Sequence, residues 1–182
     1  MQDYSAYREQ ICQIGRRVYE KQFVAANEGN LSIRAGTDRV LITPTMHSKG
    51  FLQPEDLCLI DLEGNVLSEP TRPSSEYRLH LTIYRQRPDA HGIVHCHPPH
   101  ATAFAIAHEP IPTGVLPEPD IFLGQVPMAA YETPGNQSFA DTILPFVDST
   151  NTIHLANHGT VALAEDLDRA RRLTEIMDAN CR

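Results

Sequence analysis

The chain has 182 residues, 41% of them hydrophobic, which is enough for one domain with a sizeable core. Its 15 Lys and Arg stand against 23 Asp and Glu, and the net charge of −8 argues against nucleic acid or an anionic membrane as the main partner. No apolar run approaches the ~20 residues of a membrane span, the start Met1-Gln2-Asp3-Tyr4-Ser5 lacks a signal-peptide profile, and Cys12, Cys58, Cys96 and Cys181 show no C-x-x-C spacing, so reduced thiols in a cytoplasmic protein are expected.

From Tyr4 to about Phe23, Ile11, Ile14, Val18 and Tyr19 recur at helical spacing among Arg and Glu, which predicts an amphipathic helix. Gly29-Asn30 then opens an alternating strand, Leu31 to Arg34, and Val40 to Thr43 is a second. Leu57 to Leu62 and Val66-Leu67 flank Glu63-Gly64-Asn65, a hairpin signal. Pro73-Ser74-Ser75-Glu76 precedes Leu79, Ile83 and Tyr84, so serine caps a helix running to about Gln86. A strand enters at Ile93 and ends at Pro98-Pro99. Ala101 to Ala107 reads as a short buried helix, Pro110 to Pro119 as a connection, Val126 to Tyr131 as a strand, and Asn136 to Val147 as a helix. Thr152 to Ala156 is a further strand, and Leu167 to Cys181 begins a terminal helix that reads as short or truncated. These elements describe one α/β domain over residues 1–182, with a central, largely antiparallel sheet flanked by helices in three αβα layers.

Three histidines stand out against that frame. On a strand, residues i and i+2 share a face, so His95 and His97 project together and Cys96 projects to the other side. His158, in Asn157-His158-Gly159, lies at the end of a second strand. Neutral imidazoles are the commonest ligands of a catalytic metal, and three of them leave a coordination position open. His47, His80, His91, His100, His108 and His154 are read as ordinary surface or core histidines.

Other motifs have both a structural and a chemical meaning. Glu76 in the first turn complements the helix dipole, or serves as a general base whose pKa is pushed toward working pH beside a metal. Ser74 and Ser75 cap the helix, or let its N-terminus take a phosphate. Gly29-Asn30 is a turn or an anion-binding backbone, and Thr43-Pro44-Thr45 ends a strand or offers hydroxyls to a phosphate.

The series Gly-Asn-Leu-Ser, Ile-Thr-Pro-Thr, Pro-Ser-Ser-Glu, Pro-Asp-Ala-His-Gly-Ile-Val-His-Cys-His and Asn-His-Gly, from about Ile11 to Arg182, resembles the class II aldolase and adducin family. Its nearest pattern is that of the L-fuculose-phosphate and L-rhamnulose-phosphate aldolases. The resemblance implies one zinc ion per subunit on His95, His97 and His158, with Glu76 as acid/base and as an occupant of a metal position before substrate enters. It implies a phosphate site at Asn30, Thr43, Thr45, Ser74 and Ser75. The implied reaction is cleavage of a ketose 1-phosphate to dihydroxyacetone phosphate and an aldehyde. Ribulose-5-phosphate 4-epimerases and methylthioribulose-phosphate dehydratases share the scaffold, and adducin-like interaction modules keep it without the metal. The resemblance also implies a homotetramer with sites between subunits.

Three positions depart from the pattern. Met46 follows Thr-Pro-Thr where relatives commonly have glycine, so Lys49 or His47 is expected to supply a replacement contact. In the fuculose-phosphate branch a tyrosine contributed by a neighbouring subunit handles the aldehyde-side proton, and its position falls on Leu116 here, which makes Glu118 the expected substitute. Relatives also continue past the terminal helix with a tail that covers a neighbouring site.

Overall fold

The computed structural model describes residues 3–68 and 72–182. Helix α1 (Ser5–Glu20) buries Ile11, Ile14 and Val18, the residues that recur at helical spacing. Each such side chain contributes about 1.5–3 kcal/mol on leaving water. Strands β1 (Asn30–Arg34), β2 (Val40–Ile42) and β3 (Cys58–Ile60) pair antiparallel. The predicted hairpin beyond β3 is short: Ile60 bridges Val66, Asp61 N–H donates to the Asn65 carbonyl and Leu67 N–H to the Leu59 carbonyl. Short 3-10 turns at Lys49–Phe51 and Pro54–Asp56 fill the β2 to β3 connection.

Helix α2 (Tyr77–Gln86) leads to β4 (Gly92–Cys96), and α3 (Pro99–Ala107) follows directly. Only Ala101 and Ala105 of α3 are buried, so the expected buried helix is a half-exposed one. After α4 (Pro117–Phe122) the predicted strand over 126–131 shrinks to β5 (Met128–Ala129). The predicted helix over 136–147 is α5 (Gln137–Asp141) continued by turns. Strand β6 (Thr152–Leu155) turns into β7 (Gly159–Ala164), and α6 (Leu167–Asn180) closes the described chain.

The seven strands run β3-β2-β1-β4-β7-β6-β5, antiparallel throughout except for the parallel β5–β6 pair. Period-two alternation sorts their side chains into two apolar layers. Leu31, Ile33, Val94, Cys96 and Ala162 pack with α1 and α6 on one face, while Ile93, Val161 and Leu163 pack with α2 and α5 on the other. The sheet is thus covered on both sides, as the three-layer expectation requires. Asp178 near the end of α6 ties α3 to α6 within one layer by accepting from the backbone N–H groups of His100 and Ala101, which caps α3. Among the described residues no helix is long and apolar enough to cross a membrane.

Candidate metal centre

Strand β4 lies between β1 and β7, with His95 opposite Asn30 on one side and Val161 on the other. His97 follows at the strand end, and the β6–β7 turn brings His158 against both. Asn157 makes that turn with φ of 55°, a conformation asparagine tolerates better than most residues. Gly159 has no replacement: a Cβ there would sit 2.5 Å from the Cys96 carbonyl oxygen and 2.6 Å from the His97 ring.

The three imidazoles form a cluster with ring centroids 5.1, 4.8 and 4.9 Å apart. Their ligand atoms all lie within 4.8 Å of one another. His95 Nδ1 is 2.8 Å from the Thr160 carbonyl oxygen, which can only accept, so Nδ1 carries a proton and the neutral ring offers its lone pair at Nε2. That atom is 3.1 Å from His158 Nε2. Phe139 stacks on His158 with a centroid distance of 5.3 Å and holds its plane. His97 Nε2 is buried with no hydrogen-bond partner, which costs free energy unless an ion takes the lone pair. Three convergent donors, one orphaned and one with its tautomer fixed from behind, fit a divalent metal ion.

Glu76 completes the cluster. Its Oε2 is 3.2 Å from His95 Nε2 and its Oε1 is 3.2 Å from His158 Nε2. It stands at the N-cap of α2 rather than in the first turn. Burial pushes its carboxyl up, but the charges and hydrogen bonds of His95 and His158 outweigh burial and hold it well below the ordinary carboxylate range. In the metal-free cluster the shift of Glu76 thus runs opposite to the rise expected beside a bound metal. Burial pulls His95 down, and Glu76 more than offsets it, leaving His95 raised. Glu76 thus balances a proton that a metal ion would displace.

His97 and His80 behave oppositely. Burial and the neighbouring imidazoles depress His97 to about 3, and burial does the same for His80. In the metal-free protein the unfolded chain takes up protons below its histidine pKa of ~6.5, while these two native rings do not until near pH 3. Stability is therefore expected to fall with acidification, at about 1.4 kcal/mol per pH unit for each group. His95, raised, is protonated in both states in that window and does not oppose the loss. Urea titrations of chelator-treated protein between pH 6.5 and 4 check this, and a flat profile would contradict it.

A cleft of about 260 Å³ opens beside the cluster, lined by Asn30, Thr45, Met46, Lys49, Ser74 and Ser75 together with Glu76, His97 and His158. Gly29 shapes its floor with φ of 69°, where a Cβ would strike Val24 at 2.6 Å and the His95 carbonyl at 2.8 Å. Met46 has a left-handed backbone, φ 60°, a conformation that glycine adopts far more readily. Lys49 is 1% exposed. Its Nζ donates only to the carbonyls of Asn27 and His47, with no carboxylate in ion-pair range among the described residues. Burial lowers it to about 8, against the pull of Cys96 and Glu76, so an anion entering the cleft would find a poorly compensated cation.

Two expected site residues fall elsewhere. Thr43 is fully buried, with its hydroxyl accepting from the Leu31 N–H, and it does not line the cleft. Glu118 is exposed on α4 and is not among the residues that line this cleft in its own chain. A larger groove of about 690 Å³ lies at Arg87, Phe122, Pro127 and Asn151, but it gathers no reactive cluster. The Arg87 donors there are taken by Asp89, Asn151 and two carbonyls.

Comparison with known proteins places this geometry. The model of the class II aldolase and adducin N-terminal domain matches residues 9–182. An L-fuculose phosphate aldolase of Methanococcus maripaludis is 32% identical over 93% of this chain and 91% of its own length. A 3-oxo-tetronate 4-phosphate decarboxylase of Haemophilus influenzae is 33% identical over 95% of this chain and 84% of its own. The solved structure of an L-fuculose 1-phosphate aldolase superposes with a TM-score of 0.91 at 28% identity, covering 97% of this chain and 84% of that one.

Proposed function

The chain belongs to the class II aldolase and adducin family, and from that premise we propose that it is a zinc-dependent lyase that breaks a carbon–carbon bond beside the carbonyl of a small phosphorylated substrate, leaving dihydroxyacetone phosphate. The observation that carries this reading is the placement of Glu76, with one carboxylate oxygen on His95 and the other on His158, at the wall of a cleft that also holds Lys49, Ser74 and Ser75. Zinc fits three imidazole donors, and when bound it would polarise the substrate carbonyl as a Lewis acid.

The residues of the chain account for the other requirements. Lys49 supplies positive charge to the phosphate. The Ser74 hydroxyl already accepts from the Glu76 N–H, so it holds the acid/base residue as well as facing the cleft. Ser75 and Thr45 add hydroxyl donors. Asn30 has one side-chain N–H on Glu76 and a second free to reach substrate. Glu76 delivers the proton to the carbon that loses its substituent. An oligomer with sites shared between subunits belongs to the same reading, supported by the exposed Val115, Leu116, Ile121 and Phe122 around α4.

Two leaving groups satisfy this chemistry. In a sugar 1-phosphate the departing carbon is an aldehyde, whose oxygen must lose a proton as the bond breaks. In a 3-oxo-tetronate 4-phosphate it is carbon dioxide: the C1–C2 bond breaks, its electron pair enters the conjugated C3 carbonyl, and protonation at C2 again gives dihydroxyacetone phosphate. The second case needs no group at the leaving oxygen. It is favoured by the apolar Leu116 at the tyrosine position.

A coupled assay for dihydroxyacetone phosphate from L-fuculose 1-phosphate, L-rhamnulose 1-phosphate and 3-oxo-tetronate 4-phosphate, with product analysis of L-ribulose 5-phosphate alongside, each with and without chelator, tests the proposal. Chelator-sensitive release from one substrate is expected. Release from the oxo-acid alone selects decarboxylation, xylulose 5-phosphate without release selects epimerisation, and no turnover of any substrate by metal-loaded protein overturns the assignment.

A further inference from the structure

A line of buried polar groups starts behind Glu76 and runs away from the cleft, between the sheet and α2. Asn30 Nδ2 donates to Glu76 Oε2 at 2.6 Å, and His80 Nε2 lies 2.5 Å from Asn30 Oδ1. His80 Nδ1 is 2.6 Å from Ser32 Oγ, which is 2.9 Å from the Tyr84 hydroxyl. Apart from Glu76 these residues are at most 2% exposed. Arg34 closes the far end, its guanidinium 4.8 Å from the centre of the Tyr84 ring and bonded to the Tyr84 carbonyl.

The direction of every bond follows from what each atom can do. The Asn30 amide oxygen only accepts, so His80 Nε2 carries a proton. Burial keeps the ring neutral, with its pKa lowered to about 3, so Nδ1 is an acceptor. Ser32 must then donate to Nδ1, and Tyr84 to Ser32. All four donors point toward Glu76, and the Arg34 backbone N–H, which also bonds the Tyr84 oxygen, leaves that hydroxyl's proton for Ser32. Asn30 cannot flip, because a flipped amide would set N–H against N–H at His80 and oxygen against oxygen at Glu76.

We propose that His80 is a positioning residue: acting through Asn30, it pins Oε2 of Glu76 and leaves Oε1 as the oxygen that moves the proton. The proposal rests on the acid/base role assigned to Glu76 above, but its structural half can be tested without that role. Glutamine at position 80 offers an N–H donor and an oxygen acceptor in place of the two ring nitrogens, whereas phenylalanine fills the space and offers neither. A packing role and a positioning role therefore rank the two variants in opposite order.

The functional probe is exchange of the hydroxymethyl protons of dihydroxyacetone phosphate with deuterated solvent by metal-loaded enzyme, which does not depend on the identity of the leaving group. His80→Phe is expected to lower the exchange rate by about 10–100-fold, the range for loss of an orienting hydrogen-bond partner. KM and metal content should stay near wild type, and His80→Gln should recover most of the rate. In metal-free protein the Asn30 side-chain amide should show two well-separated proton resonances in the native chain and in His80→Gln, collapsing toward one another in His80→Phe. If His80→Phe does not fold, Ser32→Ala, which frees the imidazole at Nδ1, should give a smaller loss in the same direction. Wild-type exchange with an unchanged Asn30 signal in His80→Phe, or wild-type exchange in Ser32→Ala, would overturn the proposal. The Glu76 reading fails separately, through exchange that persists in Glu76→Gln.

Discussion

Glu76→Gln is expected to lower proton exchange and carbon–carbon cleavage by about 10²–10⁴-fold, the contribution of a positioned general acid or base. The substitution keeps the shape of the side chain and its place at the N-cap of α2, so the fold should be unaffected. What changes is that an amide cannot take up and return a proton. The 3.2 Å contacts to His95 and His158 also lose their negative partner, which removes the reason for His95 to hold a proton in the metal-free state. Metal should therefore bind the variant with less competition from acid, while turnover collapses. Metal analysis and the exchange assay on the same preparation separate the two effects. A variant with wild-type exchange would remove Glu76 from the chemistry altogether.

His97→Ala is expected to abolish stoichiometric metal binding and, with it, about three orders of magnitude or more of turnover, the equivalent of several kcal/mol of charge stabilisation. The stability result is the more diagnostic half. A bound ion stabilises the native state by mass action, about 4 kcal/mol at a thousandfold excess over its dissociation constant. The native chain should therefore lose melting temperature on chelation, whereas His97→Ala should not respond. Without metal the variant should be no less stable than the chelated native chain by more than its lost packing, because His97 Nε2 makes no hydrogen bond to forfeit. Scanning fluorimetry with and without chelator reads this directly. A chelator-induced shift of native size in His97→Ala would place the ion elsewhere.

Much of this centre is legible in the chain because it depends on local period. The alternation Ile93, Val94, His95, Cys96 in β4 sends the first and third to the α2 layer and the second and fourth to the α1 layer, as i and i+2 spacing requires. Gly159 follows His158 because the His97 ring leaves no room for a side chain there. The strand that begins at Gly159 is not legible: all six residues of β7 are buried, so the run has no polar alternation to mark it.

Longer-range assignments fared according to how much they asked of sequence spacing. Thr43 sits in a Thr-Pro-Thr run that resembles a phosphate loop, yet it is fully buried, its hydroxyl accepting from the Leu31 N–H across the β1–β2 pair. Glu118 is close in sequence to the tyrosine position, but the turn into α4 leaves it in solvent. Met46 departs from the expected glycine, and its backbone takes a left-handed course that glycine adopts more readily. His80 looked like an ordinary core histidine, and nothing local distinguishes it from one.

The sequence by itself pointed to the face shared by His95 and His97 and to the layered α/β class, since periods of 2 and 3.6 residues are properties of neighbours in the chain, and it joined His158 and Glu76 to that face through the resemblance of the motif series. Only the tertiary structure decided which groups stand behind them. Asn30, Ser32, Glu76, His80 and Tyr84 meet because β1 lies beside β4 in the sheet and α2 packs across that face, and the register that aligns Asn30 with His95 is fixed by burial of the whole sheet. A hydrogen bond between residues about fifty positions apart leaves no mark on either stretch of sequence. It exists because a buried polar group must find a partner, and the fold supplies one at that place.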